Sequence, residues 1–191
     1  MARTKQFDPD TALGAAVEVF REHGYAGASA QMLTGAMGIG KQSLYDTYGG
    51  KWPLYCAALQ RYSADETGRH IAELGAGRSA RAGLERLLQR VVAEAQRPCL
   101  GIGSVQEFGQ DSEGSAALAE IRERSAQALR AALIGRIRDA QAAGELSAEV
   151  APRQAAAFLV ANIAALRLAA RDGAGEADLR AQARLVLRAL D

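Results

Sequence analysis

Proline, aromatic residues, cysteine and histidine are all scarce in this chain. Of 191 residues only 4 are Pro, 2 are Cys and 2 are His, and aromatics make up 5%. Two cysteines, Cys56 and Cys99, make no disulfide framework, and no C-x-x-C pair or Cys/His cluster has the spacing of a structural zinc site. Two histidines and no metal-spaced acidic pair give little from which to build acid–base, nucleophilic or metal catalysis. No enzyme is therefore expected, and neither a metal nor another cofactor is called for. A charge excess is also missing: 23 Lys+Arg against 22 Asp+Glu leave a formal +1. That excludes a histone-like polycation but leaves room for a local basic surface. The most apolar run, 155–166, is broken by Asn162 and falls short of the ~20 apolar residues a membrane span needs. The first residues, Met1-Ala-Arg-Thr-Lys-Gln, have no apolar segment behind their charges, so no secretory signal is expected and a cytoplasmic location is. Period-two alternation and internal repeats are absent as well.

What the chain has in abundance is alanine, 42 residues of it. Ala loses no side-chain entropy in a helix, so the composition favours an all-α fold. Asp8-Pro9-Asp10 is a helix start, and Leu13, Ala16, Val17 and Phe20 follow it on one face up to a stop at Gly24. A second helix is expected from a Ser29 cap to Met37, with Leu33 and Ala36 inward. Gly38-Ile39-Gly40 reads as a tight turn, and a short third helix as running from Lys41 to about Thr47. After Gly49-Gly50 a fourth helix starts at Lys51, with Leu54, Tyr55, Ala58 and Tyr62 on its inner face. Leu84, Leu87, Leu88, Val91, Val92 and Ala95 mark a fifth. Residues 99–110 read as a short apolar stretch with three glycines, and 110–115 as a polar loop. Long helices are expected over 115–143 and 152–171, then a last one carrying Leu179, Val186, Leu187 and Leu190. The total comes to about nine.

Residues 29–51 stand out. Two short helices joined by a three-residue turn have helix-turn-helix spacing. The third helix is odd for a structural helix, because Leu44 is its one aliphatic anchor. Lys41, Gln42, Ser43, Asp46 and Thr47 are short donors and acceptors of the kind that read base edges in a major groove. Tyr45, Tyr48 and Lys51 flank them with groups suited to phosphate oxygens. Charge gives modest support: all three lysines, Lys5, Lys41 and Lys51, lie in the first 51 residues. Arg3 and Lys5 form a candidate arm toward phosphates or a minor groove, with a solvated terminus as the alternative.

Residues 8–55 resemble the DNA-binding module of the TetR family of bacterial helix-turn-helix regulators. The resemblance rests on Ala16, Phe20, Gly24-Tyr25, Ser29, Leu33, Ala36, Gly38-Ile39, Ser43-Leu44-Tyr45, Tyr48, Lys51 and Leu54, and most specifically on the run from Gly38 to Lys51. It implies a three-helix DNA-binding domain at 1–50 and a helical ligand-binding and dimerisation domain at 51–191, linked by a helix at about 51–73. It implies a homodimer on a pseudo-palindromic double-stranded operator, released when a small-molecule effector binds. Carried onto this chain, Ser29, Gln31, Lys41, Tyr45, Tyr48 and Lys51 become backbone-contact candidates, and Gln42, Ser43, Asp46 and Thr47 base-reading candidates. Gly40 departs from the family's usual Ser or Thr, and Trp52-Pro53 from its usual polar pair.

Beyond the head, Cys99, Phe108, Ile121, Arg122, Phe158 and Asn162 are the effector-pocket candidates, apolar walls with a few polar anchors. Arg122 pairing with Glu107 or another acid at the surface is the alternative for that residue. Phe158, Leu159, Ala165, Leu166, Leu179, Ala183, Val186, Leu187 and Leu190 are the dimer candidates, since two helices meeting their symmetry mates make an isologous four-helix contact. An intramolecular core is the competing account of these residues. His70 is read as solvated, and Cys56 and Cys99 as small buried hydrophobes. A thiol- or redox-switched regulator, and a helical small-molecule carrier without DNA function, are the alternative functions.

Overall fold

The computed structural model describes residues 7–109 and 114–191. Among the described residues the chain is all α-helix, with nine helices and no strand. They are α1 (Pro9–Gly27), α2 (Ala30–Met37), α3 (Lys41–Tyr48), α4 (Lys51–Ala76), α5 (Ala80–Ala93), α6 (Leu100–Phe108), α7 (Ser115–Ala142), α8 (Pro152–Arg171) and α9 (Glu176–Arg188). Helix starts follow their caps. The Asp8 carboxylate accepts from the Asp10 and Thr11 amides, and Pro9 takes the first helical position. Pro152 does the same for α8.

Two sequence expectations, at Gly24 and Ala36, need correction. Gly24 does break α1, at φ 67°, but helical turns resume to Gly27. Ala36 is exposed, and Met37 is buried in its place, one residue further round α2. Residues 100–108, within the short apolar stretch with three glycines, form a helix, because Leu100 and Ser104, four residues apart, bury one face of it. The polar loop expected at 110–115 falls largely on residues 110–113, outside those described, as does the arm with Arg3 and Lys5.

The chain divides into two compact units, 1–64 with 98–123, and 65–97 with 124–191. In the first unit α1 packs on α2 and α6. Its core is Phe20, Leu33, Leu44, Leu54, Tyr55, Leu59 and Leu118, with smaller residues between them. In the second unit α5, α8 and α9 pack together on the later part of α7. A buried polar cluster lies within it. Glu66 is bonded by Arg90 Nη2 at 3.0 Å and by Arg167. His70 Nδ1 faces Arg90 Nη1 at 2.9 Å. His70 is 4% exposed, so the expectation of a solvated face fails: its ring lies among the charges of three helices.

Candidate nucleic-acid interface

Ser29 opens α2 in an extended conformation, and its hydroxyl accepts from the Met32 amide at 3.1 Å. That takes up one of the amide donors a helix start leaves unpaired. At the far end Gly38 is left-handed, φ 64°, where a Cβ would strain the backbone. The Ile39 amide then donates back to Thr34 O at 3.1 Å, closing the helix and turning the chain. Three residues thus join α2 to α3, with Ile39 packed against the core below. Gly40 starts α3 with no side-chain cap bond.

Leu44 is the buried residue of α3. Lys41, Gln42, Tyr45 and Asp46 are exposed, Tyr45 by 50%. Their i, i+1, i+4, i+5 spacing lays them along one stripe. Eight residues make a helix about 12 Å long, and a B-DNA major groove is about as wide. Gln42 Nε2 donates to Asp46 Oδ1 at 2.7 Å, so the two are presented as one unit. Ser43 and Thr47, four residues apart, are half-buried at the side of the stripe, and Gln31 and Ser29 are exposed on α2. Lys41 has no ion-pair partner among the described residues.

Two flanking candidates are engaged within the chain. Tyr48 Oη donates to Pro9 O at 2.8 Å, so its one proton is not available to a phosphate; this corrects its reading as a free donor. Burial, then Asp10 and Asp8, push its pKa up, which keeps the phenol neutral. Lys51 Nζ sits 4.6 Å from the centroid of the Tyr25 ring, a cation–π contact.

Behind this surface Tyr25, Trp52, Tyr55 and Phe108 form one aromatic cluster. Tyr25 meets Trp52 edge-on at 5.5 Å and Tyr55 at 5.2 Å, and Phe108 lies 5.3 Å from Trp52 and 5.6 Å from Tyr55. Trp52 departs from the family pattern because it belongs to this cluster. Just past the Gly24 break, Glu107 accepts from the Tyr25 and Ala26 amides at 2.7 and 2.5 Å. Arg21 of α1 likewise donates to Pro98 O, and Arg61 of α4 donates to Asp10 at the start of α1. Sequence spacing gave no signal for these ties, since the partners are 51 to 82 residues apart.

The effector-pocket candidates fall into two groups. Cys99, Phe108, Ile121 and Arg122 all belong to the first unit. Cys99 is the half-buried N-cap of α6. Arg122 Nη1 donates to Ser104 Oγ at 2.9 Å and pairs with no acid among the described residues, Glu107 included, where the alternative was a surface ion pair. Phe158 and Asn162 lie on α8 in the second unit, and the Asn162 amide is tied to its own helix at Phe158 O, 2.8 Å. Cys56 is half-buried, and burial pushes its thiol pKa up, away from a reactive thiolate.

Of the dimer candidates, Leu159, Leu166, Leu179, Ala183, Val186, Leu187 and Leu190 are buried in the chain's own core. For these the intramolecular account holds. Phe158, 41% exposed, and Ala165 remain on the surface. Leu168 and Leu185 join them as exposed aliphatics that the sequence reading did not pick out.

A two-turn polar helix held on a helix-turn-helix frame defines a DNA-binding protein. The model of bacterial regulatory proteins of the tetR family matches residues 12–57. The uncharacterized HTH-type transcriptional regulator YezE of Bacillus subtilis (strain 168) is 34% identical over 155 residues, covering 78% of each chain. The HTH-type transcriptional repressor ComR of Escherichia coli (strain K12) is 38% identical over 72 residues, 38% of this chain and 34% of ComR. A solved structure of a cysteine mutant of the TetR family regulator CifR, complexed with 26 bp double-strand operator DNA, superposes with a TM-score of 0.82. It is 31% identical and covers 99% of this chain and 100% of that one. The chain belongs to the TetR family: it is a DNA-binding transcriptional regulator and not an enzyme.

Proposed function

We propose that the chain is a ligand-responsive repressor, which binds a pseudo-palindromic operator as a homodimer in the cytoplasm and is released by a small-molecule effector. The observation that carries this is the exposed stripe Lys41, Gln42, Tyr45 and Asp46 on a helix whose one buried anchor is Leu44. A helix built for packing alone would bury more of its surface. The reading takes residues 1–50 as the DNA-binding head and 51–191 as the ligand-binding and dimerisation part, with α4 leaving the head at Lys51. Gln42, Ser43, Asp46 and Thr47 read bases, while Ser29, Gln31, Lys41, Tyr45 and Lys51 hold the backbone. The repressor named ComR and the operator complex of CifR support the direction and the partner. Release follows if the effector binds the DNA-incompetent arrangement more tightly, since equal affinity for both would shift nothing.

A gel-shift titration of DNA flanking the chain's own gene, across a salt series, tests the reading. Sequence-selective binding that weakens with salt is expected. Lys41→Ala should weaken all sites alike and lower the salt slope by about one charge, while Gln42→Ala should relax base preference at one position. Folded protein that shows no selectivity at any site would remove the proposal.

A further inference from the structure

Resting on the reading of α3 as the recognition helix, we infer that each operator half-site presents an A·T pair to Gln42, and that Asp46 sets this preference by fixing which way the Gln42 amide is turned. Gln42 Nε2 donates to Asp46 Oδ1 at 2.7 Å, and both side chains lie on the exposed stripe of α3. A carboxylate only accepts, so the amide must turn its nitrogen, not its oxygen, to Asp46. One of the two Nε2 hydrogens is thereby spent. What remains for a partner is one N–H and the Oε1 acceptor, a single donor beside a single acceptor.

That pattern matches one base edge. In the major groove adenine offers N7 as an acceptor and N6–H as a donor, so the fixed amide meets it with two bonds. Guanine offers two acceptors, N7 and O6, and Oε1 would face one of them with no proton between. Cytosine offers a donor alone, and thymine an acceptor and a methyl, so each leaves half of the amide unmatched. Gln42 is the second residue of α3, in the N-terminal part of the helix, which is where a recognition helix reaches base edges. Asp46, one turn further on, forms no ion pair among the described residues. Its charge repels phosphate, so what it contributes to the interface is selectivity and not affinity. In water an i, i+4 pair of this kind is weak. Once the groove excludes water, a bond to a charged acceptor strengthens and holds the amide in its one orientation. Asp46 is thus a positioning residue, and it takes its part in base reading through Gln42.

Operator sequences are first selected from randomised duplexes with the full chain, and every pair of a half-site is then changed in turn for the parent and each variant. For the parent, one A·T pair in each half-site should cost about tenfold or more in affinity when changed to G·C. With Gln42→Ala that cost should fall to within about twofold, while the other pairs keep theirs. Asp46→Asn is the decisive variant. Its side-chain amide can donate as well as accept, so Gln42 is free to turn over and offer both N–H groups to guanine. Discrimination at the same pair should then drop to about threefold or less with Gln42 still in place. Asp46→Glu keeps a carboxylate acceptor and should retain the preference for adenine. Equal loss in the Glu and Asn variants, or a weakening spread evenly over every pair, would mark a merely structural bond and overturn the inference. So would a Gln42-dependent pair that is G·C, no pair that depends on Gln42, or an Asp46→Asn protein that keeps the full preference or loses it at a different pair. Each of these leaves the operator reading in place, whereas a parent that selects no sequence at all removes that reading and this inference together.

Discussion

At the residue scale the chain's most demanding group is Glu66. It accepts from Arg90 and Arg167, with Arg69 Nη2 3.5 Å away, and Arg90 also reaches Glu94 at 2.9 Å. Burial alone would raise the Glu66 pKa; Arg90 and Arg167 outweigh it and hold the carboxyl below its ordinary 4.5. Glu66→Gln leaves Arg167, 4% exposed, buried without its counter-charge, so a loss of about 3–5 kcal/mol is expected in chemical denaturation. His70 obeys the opposite chemistry. Burial first, and the arginines beside it, lower its pKa to about 4 despite Glu66. Nδ1 then stays unprotonated and accepts from Arg90. The folded state binds this proton less tightly than the unfolded one. Its contribution is complete above pH 6.5 and is lost as pH falls toward 4, by about 3 kcal/mol in all. Glu66 adds a second loss below pH 4.5 as its carboxyl protonates. Melting temperature should therefore drop between pH 6.5 and 4, and His70→Gln, which keeps an acceptor for Arg90 but cannot titrate, should flatten that drop. An equal drop in both proteins would show that other groups carry it.

At the element scale local chemistry decided what could be read in advance. Asp8, Ser29, Gly38 and Pro152 act within a few residues of themselves, so the starts of α1 and α8 and the turn before α3 were legible. So was the recognition helix, because one apolar residue among eight is a statement about that helix alone. α6 shows the limit: local sequence says only that it is short and apolar, with Gly101 and Gly103 weakening a helix, and its packing against α1 decides the matter. The candidate site was legible to the same depth. The exposed stripe on α3 came from spacing. The spent hydroxyl of Tyr48 and the capping of the α1 end by Glu107 depend on partners 39 and 82 residues away. Gly40 and Gly38 give a paired test of the turn. Gly40 sits at φ −74°, ψ 158° with open space where a Cβ would go. Gly40→Ser should add about 0.5–1 kcal/mol, as a cap hydroxyl is gained and unfolded-chain freedom is reduced. Gly38→Ala, at φ 64°, should cost about 1–2 kcal/mol. Urea melts of both variants check the signs, and two changes of the same sign would contradict the capping account.

At the scale of the whole molecule, near-neutrality hides placement. All three lysines lie in the first 51 residues, and the later arginines are balanced by acids, several inside the second unit's own polar cluster. The same distinction between composition and position governs association. Nine apolar residues of the last two helices looked equally suited to a dimer, because period and size do not say which face a helix turns to its own chain. Seven are core. On α8 the surface residues Phe158, Ala161, Ala165 and Leu168 follow i, i+3, i+7, i+10, one continuous stripe of small and large apolar groups. Leu185 on α9 is 57% exposed. Water has no favourable claim on such a stripe, and a second copy presenting the same one buries both at once. Phe158→Asp places a charge there without touching the core, so the monomer should keep its melting behaviour to within about 0.5 kcal/mol. Sedimentation equilibrium should show the parent as a dimer and this variant as a monomer. On the proposed reading, in which two recognition helices reach two half-sites together, the variant should also lose operator affinity at a given salt concentration by far more than a surface change distant from DNA would. A Phe158→Asp protein that stays dimeric would place the interface on another face.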